Sequence, residues 1–257
     1  MFVHESGSFD SPTIVFLHGN GTNGRMWKTH MEQLAEYHCL APDFPGYGQS
    51  KDEEWVSLDE TVNQVIDIIH DRTNHARTHI VGLSLGGSTG LKFLTRVPDL
   101  VDHAIIDGAG VLPLPGLGFM KIGFHLLQPF LHTNFVIKTI AHSMHIPESG
   151  YDDFKQGMLA MSPASFTRSF LQALSLRQPP GLEKILCSVL FVAGEREPMA
   201  VKQSNAMLAK IMPNAQSRIA PDMNHGWLAE APEMHIRMVR TWLNDKPLPT
   251  ELIRFQS

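Results

Sequence analysis

Ser84 stands in the hexapeptide Gly82-Leu83-Ser84-Leu85-Gly86-Gly87, a setting that can turn a hydroxyl into a nucleophile. The apolar run His79-Ile80-Val81 precedes it, and a helix-compatible stretch from Ser88 to Thr95 follows. Strand, G-x-S-x-G, helix is the layout of a nucleophile elbow. In such a turn the serine backbone is strained. Glycines flank it because a β-carbon there would collide with the neighbouring strand or helix. The turn lifts the hydroxyl above the sheet edge at a helix N-terminus, where unpaired N–H groups and the helix dipole favour negative charge.

Serine is a poor nucleophile without a base, and the base is an imidazole oriented by a carboxylate. His225, in Asp222-Met223-Asn224-His225-Gly226-Trp227, follows the last strand-like run and precedes the last helix, so it is the expected base. The first choice of acid is Glu197, third after the glycine in Gly194-Glu195-Arg196-Glu197-Pro198. Asp107, at the end of the preceding strand, is the second choice, and Glu195 and Asp222 stay open. An oxyanion needs two aimed N–H donors. The expected donors are the amide of Leu85, directly after the serine, and the amide of Asn20 in His18-Gly19-Asn20-Gly21-Thr22-Asn23-Gly24.

The elements that must position these groups alternate. Thr13–Leu17, His38–Ala41, His79–Val81, His103–Ile106, Val189–Gly194 and Ser217–Ala220 read as strands, being short runs rich in branched or apolar residues. Helical spacing marks 26–37, the stretch after Ser57, Met199–Ile211 and 226–244. Ser57 with Glu60 matches a capping box, and Ser162-Pro163 suits a cap and first helical position. Alternation of this kind implies an α/β fold with a mostly parallel twisted sheet covered on both faces, its site at the C-terminal ends of the strands. Residues 111–182 show only helical stretches, so they are expected to form a cap inserted after the strand ending near Asp107. Residues 1–110 and 183–257 would form the core. The tail from Lys246, with Pro247 and Pro249, reads as a loosely held extension.

The insertion carries Phe119, Phe124, Phe130, Phe135, Phe154, Phe166 and Phe170, with Met120, Met144, Met158 and Met161. Most should pack helix on helix, and some should line an apolar pocket above Ser84. Too little basic character accompanies them to favour a lipid-binding role.

Composition narrows the class. With 257 residues, 43% hydrophobic and 18% charged, the chain suits a packed core. A net charge of −5 without like-charge blocks argues against a nucleic-acid surface. No apolar run suits a membrane helix, and Met1-Phe2-Val3-His4-Glu5 lacks signal-peptide character, so a cytoplasmic location is expected. Cys39 and Cys187 are expected to be reduced. The spacings His142-x-x-His145 and His75-x-x-x-His79 would suit a metal on a helix, but no cysteine or carboxylate cluster joins them. No metal and no cofactor are expected.

These motifs, with Asp43-Phe44-Pro45-Gly46-Tyr47-Gly48-Gln49-Ser50, resemble the α/β-hydrolase superfamily over nearly the whole chain. The resemblance implies a serine hydrolase, here read as a carboxylesterase, and the apolar insertion is what suggests small to medium, largely apolar ester substrates. Serine at the elbow departs from the aspartate of haloalkane dehalogenases and soluble epoxide hydrolases, and Leu85 from the tryptophan usual in proline iminopeptidase-like members. Glu197 stands where relatives more often have Asp, and the few residues before Thr13 suggest that the first strand usual in the family is missing. Three other readings stay open. One is a carbon–carbon bond hydrolase, favoured if Arg168 or Arg177 faces the site. The others are a cofactor-free haloperoxidase or perhydrolase, and a slow-turnover small-molecule receptor. Oligomeric state is not readable.

Overall fold

The computed structural model describes residues 1–113, 116–143, 146 and 148–255. Its strands are β1 (Val3–Ser6), β2 (Thr13–Leu17), β3 (His38–Pro42), β4 (Thr78–Leu83), β5 (Val101–Asp107), β6 (Ser188–Gly194) and β7 (Ala215–Ala220). They form one sheet in the order β1-β3-β2-β4-β5-β6-β7, antiparallel only at the β1 edge. Every residue of β2, β3 and β4 is buried, as expected for strands covered on both faces.

The helices are α1 (Lys28–Gln33), α2 (Leu58–Arg72), α3 (Leu85–Arg96), α4 (Leu117–Leu127), α5 (Asn134–Ser143), α6 (Tyr151–Leu159), α7 (Pro163–Ser175), α8 (Met199–Ile211), α9 (Trp227–Glu230) and α10 (Pro232–Leu243). One core layer joins Val62 and Val65 of α2, Leu91 and Phe93 of α3, and Leu208 of α8. The other joins Met31 of α1, Trp227 of α9, and Ile236 and Val239 of α10. Each fully buried side chain of this kind contributes roughly 2 kcal/mol through apolar burial. Ser57 caps α2 by accepting from the Glu60 amide at 3.0 Å, and Ser162 caps α7 by accepting from the Ser165 amide at 3.4 Å.

Helices α4 to α7 all lie between β5 and β6 in the chain. Phe154, Phe166, Met158 and Met161 are buried, and Phe124 packs on Phe170 at 4.6 Å between ring centroids. The expectation fails for Phe119, Phe130 and Phe135, which are 85%, 57% and 80% exposed. Met144 and His145 lie outside the described residues.

Several expectations need correction. Val3–Ser6 is an edge strand that its polar residues conceal. The final helix is two, because Pro232 has no N–H to donate and Ala231 before it leaves helical geometry at φ −138° and ψ 63°. The tail is tied down: Ile253 and Ile219 exchange backbone hydrogen bonds at 2.8 and 3.0 Å, and Leu252 is buried. His75 lies in a loop and His79 in β4, so the two share no helix. Cys39 and Cys187 are free thiols, pushed by burial up to about 12 and about 11. No helix is long and apolar enough to cross a membrane among the described residues.

Candidate active site

The strand β4 delivers Ser84 to the start of α3 with φ 57° and ψ −109°, a strained conformation for a residue bearing a β-carbon. Packing enforces it. A β-carbon on Gly82 would lie 2.3 Å from the Gly86 carbonyl oxygen, and one on Gly86 would lie 2.0 Å from that of Leu17. The Ser84 amide donates to the Asp107 carbonyl at 2.8 Å, which ties the turn to the end of β5.

His225 follows β7, and its Nδ1 is 2.9 Å from Glu197 Oε2 in the loop after β6. With Nδ1–H donating to the carboxylate, Nε2 keeps the lone pair that a general base uses. Burial works against the charged imidazole. The charge and hydrogen bond of Glu197, with the nearby Asp107 carboxyl adding to them, outweigh it and hold the imidazole above its ordinary value. Ser84 and His225 approach from either side of the Asp107-Gly108 corner. A β-carbon on Gly108 would stand 2.8 Å from His225 Cε1 and 3.1 Å from Glu197 Oε1. Among the described residues, no hydrogen bond within 3.5 Å joins the Ser84 hydroxyl to His225. Such contacts commonly tighten only when substrate is bound.

The other three carboxylates lie differently. Asp107 is fully buried, 3.4 Å from His235 Nε2 on α10. Its carboxyl is pushed well above the ordinary range, first by burial and then by the charge of Glu197. Two adjacent buried carboxyls cannot both ionise cheaply, and burial disfavours the charged form of Asp107. Trp227 opposes this shift, although its indole N–H makes no geometric hydrogen bond to the carboxyl. Glu195 accepts the Asp222 amide at 2.8 Å on the exposed side of the loops. Neither Glu195 nor Asp222 contacts His225 within hydrogen-bond distance.

The loop after β2 passes close to the elbow: a β-carbon on Gly19 would stand 3.8 Å from Ser84 Cβ. Among the described residues, no protein acceptor takes the amide of Asn20 or that of Leu85, which begins α3. The Asn20 side chain is heavily engaged. Its Oδ1 accepts from the Tyr47 hydroxyl and from Ser169 Oγ of α7, and its Nδ2 donates to the Phe166 carbonyl at 3.4 Å. His18 braces the same loop. Its Nε2 accepts from the Phe44 amide at 2.9 Å while Nδ1 donates to the Gly19 carbonyl at 2.8 Å. Burial lowers the His18 imidazole to about 4, which keeps it in the neutral form this arrangement needs. Asp43 joins the loops by accepting from the amides of Gly24 and Gln49, each at 2.7 Å.

His18 and Tyr47 fall within motifs readable in the sequence, but their bracing role depends on contacts 26 and 27 residues away. Ser169, 149 residues from Asn20, carries no signal that could have found it. The model of the alpha/beta hydrolase family matches residues 14–234. The chain belongs to the alpha/beta hydrolase family. An AB hydrolase superfamily protein of Gibberella zeae is 25% identical over 253 residues, covering 92% of this chain and 82% of that protein. The pimeloyl-[acyl-carrier protein] methyl ester esterase of Aliivibrio fischeri is 24% identical, covering 90% and 93%. The enol-lactonase of Burkholderia xenovorans shares the fold with a TM-score of 0.82 at 17% identity, covering 95% and 96%. In this family, with esterases among its relatives, the chain is a hydrolase.

Helices α6 and α7 pack against the loop after β2. A β-carbon on Gly21 would meet Met158 Sδ at 3.0 Å, Phe166 at 3.5 Å and Phe154 at 3.6 Å. Apolar side chains of α6 and α7 therefore cover the loop that carries Asn20. Two surface clefts, one beside Arg218 and Arg254 and one beside Gln64 and Arg72, are lined by none of the residues of this site.

Proposed function

We propose that this hydrolase is a serine carboxylesterase acting on small to medium, largely apolar esters, with residues 111–182 as a cap over a core made of 1–110 and 183–257. The observation that carries the reading is the 2.9 Å His225–Glu197 contact beside a serine held at φ 57°. Ser84 Oγ attacks the ester carbonyl as His225 Nε2 takes its proton. Glu197 stabilises the imidazolium that forms. The amides of Asn20 and Leu85 receive the oxyanion, each worth about 3 kcal/mol in the transition state. His225 then protonates the departing alcohol, and water activated by the same imidazole releases the acid from the acyl-enzyme.

Ester cleavage is also the activity named for the Aliivibrio fischeri relative. Met158, Phe154 and Phe166 favour an apolar acyl or aromatic group over a sugar or a charged peptide. Arg168, engaged with the Trp55 carbonyl and Glu54, lends the carbon–carbon hydrolase reading no support as an anchor for a dicarboxylate. The test is hydrolysis of p-nitrophenyl esters from acetate to dodecanoate by wild type and Ser84→Ala. Ser84-dependent turnover with an optimum at short or medium chains supports the reading. Folded wild type without turnover overturns it.

A further inference from the structure

A register shift at the opposite end of the sheet gathers a different set of side chains. Thr78 pairs with Val101, but Ile80 pairs with Ala104, so Asp102 and His103 together oppose the single residue His79. One extra residue of this kind is a β-bulge, which bends the strand and re-aims its side chains. Here it brings one ligand atom each from His79, Asp102 and His103 to within 4.8 Å of one another.

We infer that His79, Asp102 and His103 form a site for a divalent transition metal, zinc being the best match to two imidazoles and one carboxylate. Both histidines are 6% exposed, and the Nδ1 atom of each is buried without a hydrogen-bond partner. A buried polar atom left unpaired is costly, and a metal ion would satisfy it. His103 has the supporting contact that metal-binding imidazoles usually show. Its Nε2 lies 3.1 Å from Asp245 Oδ1, so the proton sits on Nε2 and the Nδ1 lone pair is free. That Nδ1 is 3.4 Å from Asp102 Oδ2.

Tetrahedral zinc holds its ligand atoms roughly 3.4 Å apart, so the triangle closes by about an ångström of side-chain movement. Asp102, half exposed, is the member free to make it. Three protein ligands leave a fourth position for water on the solvent side. The site joins β4 and β5 directly, and through Asp245 it reaches the segment after α10. It lies about five residues, or roughly 16 Å, back along β4 from Ser84, too far to take part in the ester chemistry. Its expected role is to clamp the lower edge of the sheet.

The test is calorimetric titration of the full chain, stripped with EDTA and dialysed, with zinc chloride, alongside thermal unfolding with and without zinc. One zinc per chain should bind and raise Tm. Asp102→Asn, on an exposed side chain, should leave the Tm in EDTA unchanged and remove the zinc-dependent rise. Asp245→Asn should weaken binding by about tenfold as loss of a supporting carboxylate. Cobalt(II) in place of zinc should give visible bands that His79→Ala loses. Absence of stoichiometric binding, or undiminished binding by both Asp102→Asn and His79→Ala, would overturn the proposal, the latter by locating the zinc on other histidines.

Discussion

His225 and Glu197 meet at 2.9 Å across a backbone that only glycine can provide. Gly108, at φ 59°, packs against both side chains, and a β-carbon there would stand 2.8 Å from the imidazole. Gly108→Ala should therefore lower kcat far more than it lowers Tm, because it displaces the pair while the strands around it keep their packing. Parallel kinetics and thermal melts check this. A variant with wild-type kcat would show that the pair tolerates displacement.

The proposed triad acid is Glu197 rather than Asp107. Glu197→Gln should cost about 10⁴-fold in kcat, the scale known for loss of a triad carboxylate. Asp107→Asn puts a neutral amide where burial already disfavours the charged carboxylate, so it should stay close to wild type. Steady-state kinetics of both variants decide it. The reverse ranking would move the acid role to Asp107.

The acid limb of kcat/KM follows the imidazole of the free enzyme. Glu197 holds the His225 imidazole above its ordinary value of 6.5, so activity should fall as pH drops through an apparent pKa higher than that. The residual activity of Glu197→Gln should show this limb displaced to lower pH, since its imidazolium has lost its partner. The upward push from Asp107 operates only when that carboxyl is ionised.

The strand and helix alternation is readable because buried parallel strands such as Thr13–Leu17 are continuous apolar runs. Ser84 and Glu197 stand out because each follows such a run, and His225 because it follows the last strand at the same sheet edge. What escapes is long-range or compensated. The edge strand Val3–Ser6 needs apolar cover on one side only and so looks polar. Phe119 in α4 and Phe135 in α5 look like core residues, but α4 has no buried residue and α5 turns Val136, Ile137 and Ala141 inward instead. The link from Asn20 to Tyr47 and Ser169 unites three segments that no local pattern connects.

That link carries its own prediction. Tyr47→Phe removes the hydroxyl that donates to Asn20 Oδ1, and Ser169→Ala removes the second donor. Each should lower kcat more than it changes KM, by less than the about 100-fold that follows loss of an oxyanion donor itself. A change confined to KM would assign these residues to substrate binding instead.

The fold should be acid-sensitive. The folded-state pKa of His18 is about 4 and that of His235 about 3, both lowered by burial from an ordinary 6.5. Below about pH 6.5 the unfolded chain binds protons that the folded chain refuses, so stability falls as pH falls. For His18 alone the loss reaches roughly 3 kcal/mol by pH 4. Thermal melts from pH 7.5 to 4.5 should show a progressive drop in Tm, reduced in His18→Asn if that variant folds. A flat profile would contradict the neutral, buried state of these imidazoles.

The central claim is that Ser84 is the nucleophile. Incubation with a fluorophosphonate, followed by intact-mass and peptide mass spectrometry of wild type and Ser84→Ala, tests it most directly. One adduct per chain is expected, located on Ser84 and absent from Ser84→Ala. An adduct on another residue, or none on folded wild type, would contradict it.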